Sequence, residues 1–161
     1  MAINPIALKQ HMKADKEEIL GHFRDGEIEA KDLVLSLSAL VDHNIEQLAE
    51  EHLGDFKDKA TLVFTGANGR QEIAPYSDLD LFLLVDDALY DGKKIPDEHA
   101  DFAEKFSGFY YSLMDAGFDI SSVVLRGTEH CAEDVIADQE TWTQMLDRRK
   151  AWGSDDLCAH E

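Results

Sequence analysis

Two short apolar runs constrain this chain more than any other feature. Thr61-Leu62-Val63-Phe64-Thr65 is apolar and β-branched and is bounded by Gly66; Leu79 to Val85 carries the unbroken run Leu81-Phe82-Leu83-Leu84-Val85. Continuous apolarity over so few residues, between turn formers, reads as strands buried on both faces. Elsewhere the hydrophobic residues recur three or four apart, which is helical spacing. Leu8, Met12, Ile19, Leu20 and Phe23 mark a first helix that stops at Gly26, and Leu33, Leu37, Leu40, Val41, Ile45 and Leu48 mark a second that ends at Gly54. Phe102, Phe106, Phe109 and Leu113 place a third between Glu98 and Ala116, closed by Gly117. Ile120 to Leu125 reads as a third strand, and His130 to Trp152 as helical again, in two pieces around Asp138. Pro75-Tyr76-Ser77 is a turn signal, and Gly92 with Pro96 marks a loop. Neighbouring strands, a helix, another strand and helices at both ends predict an α/β (α+β) domain whose short sheet is flanked by helices. The expected division is an N-terminal helical segment over 1–58 packing on a core over 59–161, one compact domain of 161 residues.

Charge narrows the function classes. Lys and Arg number 15 against 34 Asp and Glu, a net charge of −19, and such a surface repels a phosphate backbone at long range. No nucleic-acid partner is expected. No membrane partner is expected either, because the longest apolar run is far too short to cross a bilayer and Met1-Ala2-Ile3-Asn4-Pro5 lacks a signal-peptide pattern. Cys131 and Cys158 show no metal-type spacing, which suits a reducing compartment and a cytoplasmic location. His11, His22, His43, His52, His99, His130 and His160 show no paired ligand spacing and read as surface or cap residues. The aromatic set Phe102, Phe106, Phe109, Tyr110 and Tyr111 reads as core rather than as a stacking platform. Arg148-Arg149-Lys150, the one basic cluster, reads as favourable charge at a helix C-terminus, with a phosphate or partner contact as the sharper alternative.

The chemistry concentrates between the two apolar runs. Asp78 and Asp80 lie two apart at the start of the second strand, so their side chains share one face while Leu79 and Leu81 point into the core. Two carboxylates so placed repel one another unless a cation lies between them, and Mg²⁺ favours one or two carboxylates completed by water and substrate phosphates. Upstream, Gly66 ends a strand and Gly69 follows closely, which frees backbone N–H groups for an anion. Arg70 is a further candidate for phosphate contact, with a surface pair to Glu72 as the ordinary alternative.

A glycine-bearing turn after a strand, followed by Asp-hydrophobic-Asp at a second strand, resembles the nucleotidyltransferases of the DNA polymerase β superfamily. The longer string Gly69-Arg70-Gln71-Glu72-Ile73-Ala74-Pro75-Tyr76-Ser77-Asp78-Leu79-Asp80-Leu81 is similar to the family of bacterial uridylyltransferases acting on the P-II nitrogen signal protein. The likeness extends to Phe23-Arg24-Asp25-Gly26, Leu40-Val41-Asp42, Val124-Leu125-Arg126-Gly127-Thr128, Ala137-Asp138 and Leu146-Asp147-Arg148-Arg149. What the resemblance implies is a polymerase β-like fold with a short mixed sheet. It also implies metal-dependent transfer of a nucleoside monophosphate, UMP from UTP, with ATP as the other triphosphate, to a protein acceptor such as P-II. By position it assigns Asp78 and Asp80 to Mg²⁺ or Mn²⁺, and Gly66 with Ala67 to the triphosphate; Asn68, Arg70, Ser77 and Arg126 are further candidates for the nucleotide, with a structural ion pair as the equal alternative for Arg126. It calls for a third carboxylate on a later strand, for which Asp119 is the candidate and Asp138 the runner-up; Ser121 and Ser122 hold the centre of that strand. Ala67 stands where the family has a second glycine, Asn68 where it has tyrosine and Gln71 where it has glycine. Those departures support a second reading, a catalytically silent module serving as nucleotide sensor or docking domain. A length of 161 residues leaves no room for that family's hydrolase and sensor domains, so a fragment or a stand-alone relative is expected.

Overall fold

The computed structural model describes residues 2–75, 77–120 and 149–155, and residues 124–127 by their backbone. Helix α1, Pro5–Arg24, starts on a designed-looking signal: the Asn4 side chain accepts the amides of Ile6 and Ala7 at 3.0 and 3.1 Å, and Pro5 fills the first turn. Helix α2, Ala30–Leu53, packs against it. The predicted stripes are largely what is buried. Leu8 and Leu20 of α1 and Leu33, Leu37, Ile45 and Leu48 of α2 are inside, while Leu40 and Val41 are half-buried. Phe23 departs from the expectation at 39% exposure, because Leu20, Leu33, Leu37, Ile19 and Ile28 already close the end of the helix pair beneath it.

The sheet has four strands in the order β3-β2-β1-β4, with β1 at Ala60–Phe64, β2 at Leu81–Val85, β3 at Val124–Gly127 and β4 at Arg149–Gly153. It is mixed. β1 runs antiparallel to β2, with Leu62 opposite Leu83, and to β4, with Leu62 opposite Trp152; β2 and β3 run parallel. Every residue of β1 and β2 is buried, as continuous apolarity requires of two central strands. Helix α4, Ala100–Asp115, follows a 3₁₀ turn at Asp97–His99 and lays Phe102, Phe109 and Leu113 into the same core as Ile45, Leu48, Leu53 and Trp152. Ser112 and His52 share a hydrogen bond of 2.9 Å that ties α4 to α2. Tyr111 is not core: it is 63% exposed, on the face of α4 opposite the phenylalanines.

The largest correction is β4. Arg149 to Trp152, expected at the end of a helix, forms an edge strand in which Trp152 points inward and its neighbours are half-exposed or exposed. An edge needs pairing on one side only, so it tolerates the charged residues that obscured it in the sequence. Gly153 lets it close against β1: its φ is +101°, and a Cβ there would lie 2.1 Å from the Ala60 carbonyl oxygen. The preceding positions of that expected helix, including Asp138, lie outside the described residues, as do Ser121, Ser122, His130, Cys131 and Cys158. The third strand begins later than expected, since Ile120 is irregular.

Candidate functional site

β2 starts at Leu81 rather than Leu79, and the reason defines the site. The extended segment ahead of it is held from both sides by single backbone bonds. The Thr65 amide donates to the Asp80 carbonyl at 2.9 Å, one step past the end of β1, and the Leu79 amide donates to the Asp119 carbonyl at 2.8 Å. Asp78-Leu79-Asp80 is thereby fixed between the bend after β1 and the segment after α4. The expected alternation holds: Leu79 and Leu81 are each 5% exposed, while Asp78 and Asp80 are exposed.

The bend is a single helical turn, α3, Gly66–Gly69. Its N-cap Thr65 makes no capping side-chain bond, so the opening amides of the turn receive nothing from it. Gly66 has φ +58°, and a Cβ on it would stand 2.8 Å from Asp80 Oδ2. Glycine is needed there twice over, for the left-handed backbone and for the close approach of the carboxylate. Ala67 is half-buried. Asn68 is 1% exposed, and its side-chain nitrogen and oxygen have no hydrogen-bond partner.

On the other side, the Asp119 carboxyl hydrogen-bonds that of Asp78, and this bond and the neighbouring charge hold Asp119 above the usual carboxylate range. Asp78, Asp80 and Asp119 thus come from two chain segments to one end of the sheet, although among the described residues no three acidic, histidine or cysteine side chains are already gathered around a point. The donor set suits a hard dication. Two neighbouring carboxylates that repel one another can share a cation instead, and Mg²⁺ completes its shell with water and phosphate oxygens.

The remaining candidates are placed differently. Arg70 Nε contacts Glu72 Oε2 at 2.8 Å in an exposed pair, the ordinary alternative for this residue. Ser77 organises the loop: its hydroxyl accepts the Ala74 amide at 3.0 Å, and its amide donates to the Ala74 carbonyl at 3.1 Å, with Pro75 at the second position of the turn. Arg126 lies on β3 in register with Leu84, and its side chain is outside the described residues. Sequence reasoning missed Arg149. It is neither a helix-terminal charge nor a free cation, but grips Asp42 of α2 and the carbonyl of Asn68 in the bend. The signal was present, since Leu40-Val41-Asp42 and Leu146-Asp147-Arg148-Arg149 both fall among the stretches of resemblance.

The family model for nucleotidyltransferase DUF294 matches residues 16–155, which takes in α1 from its middle, the bend, the three carboxylates and β4. The chain belongs to the DUF294 nucleotidyltransferase family. Relatives of this DUF294 domain carry the name bifunctional uridylyltransferase/uridylyl-removing enzyme. One from Pseudomonas fluorescens is 29% identical over 96% of this chain, one from Acinetobacter baylyi 30% over 91%, and one from Pseudomonas aeruginosa 31% over 96%. The DUF294 domain spans 16%, 15% and 16% of their respective lengths. Among the described residues no helix is long and apolar enough to cross a membrane.

Proposed function

We propose that this domain transfers UMP from UTP to a protein acceptor of the P-II type, with Mg²⁺ held by Asp78 and Asp80. The observation that carries the reading is the Asp80 carboxylate against Gly66 with Asp78 and Asp119 paired beside it. The uridylyltransferase name that the relatives carry supports uridylyl as the transferred group.

In this reading the triphosphate lies along Gly66, Ala67 and Asn68, where the backbone comes closest to the Asp80 carboxylate. Asp119 faces the acceptor hydroxyl. The acceptor oxygen bonds to the α-phosphorus, the bond from that phosphorus to the bridging oxygen of the β-phosphate breaks, and pyrophosphate leaves; the hydroxyl proton passes to a carboxylate of the Asp78–Asp119 pair. The dication, when bound, neutralises charge on the transferred phosphoryl group. Arg149 holds the bend by its Asn68 carbonyl, so that the phosphate turn is fixed before substrate arrives.

Intact-mass measurement of a P-II protein after incubation with the domain, Mg²⁺ and either UTP or ATP tests the reading. Addition of one uridylyl group with release of pyrophosphate is expected. Nucleotide binding without pyrophosphate release overturns transfer in favour of a sensor, and adenylylation overturns the choice of base.

A further inference from the structure

A concavity that Asp119 and Ser77 help to line lies between α1, α2 and the segment that carries the aspartates, with a volume of about 390 Å³. Its floor is apolar: Met12, Leu37, Leu40, Val41, Ile73 and Phe118. Its rim is basic, with Lys9, Lys13 and Lys16 one turn apart along α1. Lys16 donates to the Pro75 carbonyl and so braces the loop. Lys9 and Lys13 are exposed, and among the described residues neither has an ion-pair or hydrogen-bond partner. Asp119 and Ser77 form one end, and Asp119 is the sole acidic residue of the described lining.

Position within the site gives this concavity its meaning. Asp80 stands against Gly66, the Asp119 backbone is bonded to Leu79 beside Asp78, and of the three carboxylate residues Asp119 alone lines the concavity. Phosphoryl transfer proceeds with attacking and leaving oxygens roughly in line. With the leaving pyrophosphate at the glycine bend, the attacking group arrives from the Asp119 side. Charge says what arrives there. A net charge of −19 repels an acidic partner from the domain at large, and two unneutralised lysines over an apolar floor admit it at this place.

We propose that the concavity between α1, α2 and the aspartate loop docks the acceptor, as an acidic polypeptide segment whose apolar residues meet the floor, whose carboxylates meet Lys9 and Lys13, and whose hydroxyl reaches the Asp119 end. The proposal rests on the transferase reading above and names the partner chemistry of the same site.

Fluorescence polarisation of a labelled Glu-Glu-Leu-Ser-Leu-Glu-Glu peptide, with UTP affinity measured in parallel by calorimetry, tests it. Reversing both rim charges, Lys9→Glu with Lys13→Glu, is expected to weaken peptide binding about tenfold or more. Lys31→Glu with Lys93→Glu matches the change in net charge away from the concavity and is expected to leave peptide binding within about twofold of the parent. Ala74→Trp, which crowds the lining without altering charge, is expected to weaken the peptide as well. No peptide binding, equal losses in the two charge pairs, or loss of UTP affinity together with the peptide in the rim variant overturns the proposal. Peptide binding that obeys the rim lysines in a domain that binds no UTP leaves the docking surface standing and overturns the transferase reading.

Discussion

Arg149 forms a bidentate ion pair with Asp42, at 2.8 and 3.0 Å, between positions 107 apart in the sequence. The same guanidinium donates to the Asn68 carbonyl at 2.9 Å and lies 5.2 Å from the centre of the Phe64 ring. One side chain therefore joins the edge strand, the second helix and the bend that carries Gly66. Bidentate geometry is what an arginine supplies and a lysine does not.

Arg149→Lys is expected to cost about 1–3 kcal/mol of stability, because it leaves Asp42 and the Asn68 carbonyl imperfectly satisfied while keeping the charge. Both partners of the pair are about three-quarters buried, at 26% and 23% exposure, so solvent screens the loss only in part. Urea unfolding of the variant beside the parent measures it. UTP affinity should fall in the same variant under conditions where it remains folded; undiminished affinity would show that the bend keeps its shape without the brace.

Gly66→Ala isolates the close approach of the carboxylate. The added methyl would meet Asp80 Oδ2 at 2.8 Å on a backbone with φ +58°. The expected cost is about 1–2 kcal/mol from the backbone conformation alone, and Asp80 must turn away. A domain that keeps its unfolding midpoint and its divalent-ion affinity would contradict this placement of Asp80.

Glu50 gives a pH-dependent probe of the docking of β4. The ammonium of Lys57, and then the indole N–H of Trp152, hold the Glu50 carboxyl below its ordinary value. The Trp152 bond, at 2.7 Å, joins the edge strand to α2. With the folded-state value depressed, the stabilisation from Glu50 is present above the unfolded value of 4.5 and is lost as pH falls through the lower folded one. The Trp152 indole proton resonance should therefore shift with a midpoint below 4.5, and Glu50→Gln should abolish that shift. A midpoint at or above the ordinary value would mean that the bond contributes nothing.

What was legible in the sequence follows from how each element is stabilised. β1 and β2 are buried on both faces, so their composition alone declares them. α1, α2 and α4 each bury one stripe, so their spacing does. β4 has neither signature: its pairing partner is β1, distant in sequence, and Trp152 is its one buried residue. At the site, the alternation of Asp78, Leu79, Asp80 and Leu81 was readable because strand geometry is local. The pairing of Asp119 with Asp78 was not, because it depends on a backbone bond from Leu79 to Asp119 across α4. Arg70 and Arg149 show the same limit from the other side. The arginine nearest the motif in sequence pairs locally with Glu72, and the one that grips the bend comes from the far edge of the sheet.

The carboxylates themselves give the sharpest test. Asp78→Asn with Asp80→Asn is expected to abolish pyrophosphate release and to leave the apo domain as stable as the parent or slightly more so, because the Asp78–Asp119 repulsion is relieved. The parent should also gain stability from Mg²⁺, by roughly 2.7 kcal/mol at a hundred times the dissociation constant, because a ligand bound only by the folded state shifts unfolding by mass action. The double variant should lose that gain. Thermal unfolding of both proteins in EDTA and in excess Mg²⁺, with equal ionic strength, separates the two effects. An equal rise in midpoint for parent and variant would place the ion elsewhere on this acidic surface and remove Asp78 and Asp80 from the chemistry.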